Sequence, residues 1–166
     1  RTGPKARYLI VDGFDRYGGS GSWQKPQHDF VRYYGDALAG SGSTFDAAAN
    51  EAVASGNINL NNYSGVIWFL GDESTANRTF NSTEQNVVRA YLENGGKLFV
   101  TGSEIAYELI GRSAADPNDK LFFTNYFKAT WGGDVAAGST VSGVAGNIFA
   151  GISATFGQTY PEDYPD

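Results

Sequence analysis

The 166 residues contain no cysteine, no methionine, a single histidine and only five prolines. Without cysteine there is no disulfide, no thiolate metal site and no thiol nucleophile. With one histidine, His28, any serine nucleophile has one place to find an imidazole base. Basic charge is scarce as well: 12 Lys and Arg face 18 Asp and Glu, a formal net charge of -6 with a pI near 4.7. That balance builds no basic face, so neither nucleic acid nor an anionic membrane surface is expected as a partner. No run approaches the roughly 18 consecutive apolar residues of a membrane span.

Glycine and aromatics are what the chain has in quantity, with 22 Gly, 10 Tyr, 11 Phe and 3 Trp. Hydrophobic content of 41% marks a globular chain. Its length suits one domain, residues 1–166, able to bury roughly 70% of its unfolded surface. The start at Arg1 and the ending Tyr-Pro-Glu-Asp-Tyr-Pro-Asp suggest a module of a longer, secreted polypeptide.

Apolar runs at residues 7–12, 64–70 and 97–101 predict three buried strands, with a shorter one over 43–46. After a glycine-rich loop over 14–25, Pro26 suits the first position of a helix. That helix would carry Phe30, Tyr33, Tyr34, Ala37 and Leu38 on one face and stop at Gly40. Residues 50–54 predict a helical turn. Asn81-Ser82-Thr83-Glu84-Gln85 has the form of a capping box and opens a helix to Asn94, with Val87, Val88, Tyr91 and Leu92 inward and Gly95-Gly96 as its stop. Asp116-Pro117 caps a further amphipathic helix over 118–128, and short strands and turns follow Trp131. Strand, helix of about a dozen residues and strand in succession form a parallel βαβ unit, so the class is α/β with a mostly parallel central sheet.

Three loops then share the carboxyl edge of the sheet, where such folds bind ligands. They are Asp12-Gly13-Phe14-Asp15-Arg16, Gly71-Asp72-Glu73-Ser74 and Gly102-Ser103-Glu104. The last is a sharp strand-to-helix elbow, which makes Ser103 a candidate nucleophile, His28 its candidate base and Glu104 a catalytic neighbour. Asp12, Asp15, Arg16, Asp72 and Glu73 are candidate ligand-binding groups, and Trp23 offers a ring on which a sugar can stack. Asp72 with Glu73, or Glu104, has the residue types for acid-base glycoside chemistry, and Asp12, Asp72 and Glu104 have hard oxygen donors for calcium or magnesium. The same residue types also serve as turn and cap formers, and no resident metal is expected. Gly18-Gly19-Ser20-Gly21 lacks the spacing and the Gly-Lys-Ser/Thr ending of a phosphate loop, so no nucleotide cofactor is expected. Asn62, Asn77 and Asn81 head N-glycosylation sequons, which matter in a eukaryotic secretory host.

The strings Tyr-Leu-Ile-Val-Asp-Gly-Phe-Asp-Arg (8–16), Val-Ile-Trp-Phe-Leu-Gly-Asp-Glu-Ser (66–74) and Gly-Gly-Lys-Leu-Phe-Val-Thr-Gly-Ser-Glu-Ile (95–105) occur in order. Through them the chain resembles the flavodoxin-like module of bacterial secreted proteins of the xanthan lyase-like type. That module is similar in fold to class I glutamine amidotransferases, so the resemblance implies a three-layer α/β fold over residues 7–166. In amidotransferases the elbow carries cysteine, and a histidine with an acidic residue follows a later strand. Here Ser103 aligns with the cysteine, Ile105 with the second glycine of the elbow, and no histidine follows His28. The resemblance therefore implies the frame without the amidotransferase reaction. It implies a non-catalytic accessory or carbohydrate-binding module, secreted or at the cell surface, beside neighbouring domains of a carbohydrate-active parent. The alternative is a hydrolase or polysaccharide-cleaving enzyme that uses Ser103 or the crest carboxylates.

Overall fold

Apolar runs flanked by glycine become the strands of one sheet in the computed structural model, which describes residues 6–16, 28–73, 75, 77–134 and 138–155. β1 (Tyr8–Asp12), β2 (Phe45–Ala49), β3 (Gly65–Gly71) and β4 (Leu98–Gly102) lie in the order β2-β1-β3-β4. Every pairing is parallel, with Tyr8 opposite Phe45 and Gly65, and Val66 opposite Leu98. The fold is α/β, a four-stranded parallel sheet flanked by helices. β1 and β3 are its central strands and the most deeply buried ones, as near-continuous apolar sequence demands of a strand covered on both faces.

Helices α1 (Phe30–Gly40), α2 (Asn50–Ala54), α3 (Ser82–Glu93) and α4 (Pro117–Phe122) divide between the two faces. Val53 of α2, Val88 and Tyr91 of α3 and Phe122 of α4 join Leu9, Val11, Val66, Trp68 and Leu70 in the larger core. Phe80 sits at its centre, its ring 5.1 Å from Trp68 and 5.4 Å from Phe127. Each such side chain withdrawn from water contributes on the order of 2 kcal/mol. On the opposite face α1, alone among the described helices, lays Phe30, Val31, Tyr34 and Leu38 against Ile10 and Phe69, with the Tyr34 and Phe69 rings stacked at 4.9 Å.

α3 begins with the capping box that its sequence predicts. Asn81 Oδ1 accepts from the Thr83 and Glu84 amides at 2.9 and 3.1 Å, and Glu84 Oε2 accepts from the Asn81 amide at 2.8 Å. Asn50 Nδ2 adds a bond to Glu84 Oε1 at 2.8 Å, which ties the starts of α2 and α3 together. Asp116 likewise caps α4, accepting from the Asn118 amide at 2.7 Å.

Four local expectations are corrected. The first helix starts at Phe30, with His28 and Asp29 outside it, so His28 belongs to the approach to α1 and not to its first turn; Pro26 lies outside the described residues. The second strand runs through Ala47, Ala48 and Ala49, where pairing with β1 overrides the weak strand preference of alanine. The predicted helix over 118–128 is α4 followed by a π-helical segment, Phe123–Phe127, ended by Lys128 at φ 56°. The helix after the elbow is also largely π-helical, Tyr107–Gly111. Beyond residue 131 the described chain forms a separate antiparallel hairpin, β5 (Thr140–Ser142) with β6 (Ser153–Thr155).

Candidate functional site

The carboxyl ends of β1, β3 and β4 lie side by side, and main-chain bonds knit their loops into one crest. Gly13 N donates to Phe69 O at 2.9 Å, and Ser103 N donates to Gly71 O at 2.9 Å. Asp15 N donates to Glu73 Oε2 at 2.6 Å, and Arg16 reaches Asp72 O at 3.2 Å. Glycine is required where β4 meets β3, because at Gly102 (φ 148°) a Cβ would lie 2.6 Å from Leu70 Cβ.

Ser103 and Glu104 have different surroundings at the elbow. Ser103 is 6% exposed, and its hydroxyl donates to Glu73 O at 2.8 Å with Gly71 O at 3.4 Å. A peptide carbonyl holds that proton but has no basicity to remove it, so these contacts cross-link β4 to the β3 loop and do not activate a nucleophile. Glu104 takes the backbone conformation of the elbow, with φ at 62°. In the register Gly102-Ser103-Glu104-Ile105-Ala106 it occupies the third position of a G-x-S-x-G elbow, the place of the displayed residue. It is partly buried. One of only two non-glycine residues with positive φ among those described, it marks the elbow as strained.

His28 turns to Asp12, Nδ1 to Oδ2 at 2.9 Å. The other Asp12 oxygen accepts from the Phe14 amide at 3.1 Å, which fixes the loop after β1. Burial raises the Asp12 carboxyl above the ordinary range, against the lowering effect of the Phe14 amide and of His28. Asp15 is also raised, first by burial and then by the nearby charges of Glu51 and Asp12. Glu73 is almost wholly buried, with its carboxylate beneath the Asp15 amide. Asp12, Asp15, Arg16, Asp72, Glu73, Ser103 and Glu104 thus belong to one crest, with His28 joined to it through Asp12; Trp23 and Ser74 lie outside the described residues. Among the described residues no three His, Asp or Glu side chains are grouped to hold a metal ion, so the set Asp12, Asp72 and Glu104 does not form one. Also among the described residues, no helix is long and apolar enough to cross a membrane.

Two features escaped the sequence reading. Glu51 reaches the crest because β2 runs on to Ala49 and delivers the start of α2 to the carboxyl edge; a strand drawn to residue 49 would have found it. Behind the crest, the fully buried Glu108 accepts from Thr79 N and Oγ1 at 2.7 and 2.6 Å and pairs with Arg78 Nε at 2.8 Å. Arg78 also bonds Asp119 at 2.9 Å, and Asp119 accepts from Gln85 at 2.6 Å. This network anchors the segment between β3 and α3, and contacts across such sequence separations leave no local signal. No family model, no curated protein and no solved structure matches the chain.

Proposed function

We propose that the chain is a ligand-binding accessory module, without catalysis of its own, of a secreted bacterial carbohydrate-active protein of the xanthan lyase-like type. Its frame is flavodoxin-like, of the kind that class I glutamine amidotransferases use. The order β2-β1-β3-β4 supports that frame: a flavodoxin-like sheet runs 2-1-3-4-5 and binds ligands outside the carboxyl ends of β1 and β3, where the order reverses. The observation that carries the non-catalytic reading is the Ser103 hydroxyl, whose proton is donated to the Glu73 carbonyl, a group without the basicity to remove it. Around it stands a crest of carboxylates and one guanidinium, Asp12, Asp15, Arg16 and Asp72, braced from below by the buried Glu73 through the Asp15 amide. These groups accept from and donate to sugar hydroxyls with little loss of side-chain freedom on binding. Trp23, which lies outside the described residues, is the sequence's candidate for stacking on a sugar ring, and in this reading neighbouring domains of the parent carry the chemistry.

Calorimetric titration of the protein with oligosaccharides cut from xanthan tests this reading. The expected result is saturable binding that Ser103→Ala leaves in place and Arg16→Ala weakens on the order of 10-fold, the loss of one charge-assisted hydrogen bond. The oligosaccharide is recovered intact. No binding, or cleavage that Ser103→Ala abolishes, overturns it.

The second reading, polysaccharide cleavage by crest carboxylates, is favoured by the positive φ of Glu104 and the raised carboxyls of Asp12 and Asp15. A carboxyl raised by burial is shifted in the direction that a general acid requires. New reducing ends or unsaturated products that vanish in Glu104→Gln would establish it in place of the first.

A further inference from the structure

Two arginines converge on one carboxylate oxygen behind the crest. Glu108, fully buried, spends Oε2 on the Thr79 amide and hydroxyl at 2.7 and 2.6 Å. Its Oε1 faces both guanidiniums, 2.8 Å from Arg78 Nε and 3.9 Å from Arg112 Nη2. The first contact is an ion pair; the second is longer than a hydrogen bond. Arg78 Nη2 also donates to Asp119 Oδ2 at 2.9 Å, and Asp119 Oδ1 accepts from Gln85 Nε2 at 2.6 Å. Arg78, Thr79 and Gln85 thus engage the acidic groups of the network, and Arg112 is left over. Among the described residues, no hydrogen bond reaches its guanidinium.

A free guanidinium on an open surface is satisfied by water, but Arg112 is held more closely than that. Its side chain is 30% exposed and its Nε is buried, so the stem is embedded in the fold and the exposed part is the Nη end. The residue closes the π-helical segment Tyr107–Gly111, where its own amide donates to Tyr107 O at 2.9 Å. Arg78 beside it is 44% exposed, and its position is fixed by Glu108, Asp119 and the pinned Thr79. Both charges are set in place before any ligand arrives, which reduces the entropy lost on binding.

We infer that Arg112, with Arg78 beside it, forms a binding site for a carboxylate. A carboxylate is planar and meets the two Nη groups of one guanidinium edge to edge, a pairing for which arginine is the best-shaped side chain. A phosphate or sulfate dianion suits the place less well. Glu108 and Asp119 already lie against the same two arginines, and the chain as a whole carries a net charge of -6. A monoanion meets less of that repulsion. The site does not depend on sugar binding at the crest. Its carboxylate is that of a uronate sugar or of a small free acid, which present the same group to the fork.

Arginine Nε–Hε correlation spectra follow the two groups during titration, with sodium chloride holding the ionic strength constant. Sodium glucuronate and sodium acetate are the probes, with glucose and sodium sulfate as controls. The expected result is a saturable shift of the Arg112 and Arg78 signals with both carboxylates and none with glucose. Equal affinity for the two means that the carboxylate alone is recognised, and tighter glucuronate assigns the site to an acidic sugar. Arg112→Lys keeps the charge without the planar fork and weakens the Arg78 response on the order of 10-fold, and Arg112→Gln removes it. Neither change breaks a side-chain hydrogen bond to a described residue, and the wild-type titration decides the matter should a variant fail to fold. No saturable shift with either carboxylate overturns the inference. So does sulfate binding tighter than acetate, or an Arg78 response that a folded Arg112→Gln protein retains in full.

Discussion

Replacing Glu104 with alanine and with glycine, in parallel, separates backbone strain at the elbow from the side chain that sits on it. Both variants lose the carboxylate and whatever it touches, but only glycine accepts φ at 62° without penalty. A residue with a Cβ pays about 1–2 kcal/mol there, and glycine returns about 0.5–1 kcal/mol of that through the greater freedom of its unfolded chain. Glu104→Gly is therefore expected to be more stable than Glu104→Ala by roughly 0.5–1 kcal/mol, a melting difference of about 1–4 °C for a chain of this size. Urea unfolding followed by tryptophan fluorescence measures it, through midpoints compared at equal slope. An alanine variant as stable as the glycine variant, or more so, would refute the claim that this position stores strain. A glycine variant that also outlasts the wild type would mean that the chain keeps a destabilising residue at the crest, the usual mark of a functional position.

Glu108→Gln leaves an amide nitrogen to face Arg78 in place of a buried carboxylate oxygen 2.8 Å from Nε, while the Arg78 side chain stays 44% exposed and paired with Asp119. It should cost about 2 kcal/mol and lower the melting temperature by roughly 4–8 °C, which calorimetry would register. Stability should also fall as pH rises. Burial raises Glu84 above its ordinary value of 4.5, so the native state holds that proton more tightly than the unfolded chain; the stabilisation is complete below the ordinary value and is lost as pH rises through the elevated one. Urea midpoints measured from about pH 4 to about pH 7 should decline, and the decline should be shallower in Glu84→Gln. An equal slope in the two proteins would contradict the assignment.

Much of the frame is legible in the sequence because its signals are local. The runs that become β1 and β3 are apolar at nearly every position, and Asn81 with Glu84 announces α3 to the residue. The convergence of the three loops follows from parallel pairing alone. Less legible is whatever the neighbours decide. Ala47 to Ala49 are strand only because β1 lies beside them. At the elbow the composition pointed to Ser103, whereas the backbone gives the strained position to Glu104 and turns the serine hydroxyl onto Glu73 O. The positive φ of a glutamate has no signature in composition or spacing. The Arg78–Glu108 pair is hidden for a related reason, since its partners come from the approach to α3 and from the π-helical segment after the elbow.

Amide correlation spectra recorded while xanthan oligosaccharide is added test the crest most directly. The account predicts shifts concentrated in residues 12–16, 71–73 and 102–104, with the sugar signals unchanged over the titration. Shifts confined to other surfaces, or sugar signals that convert to those of a cleaved product, would contradict it.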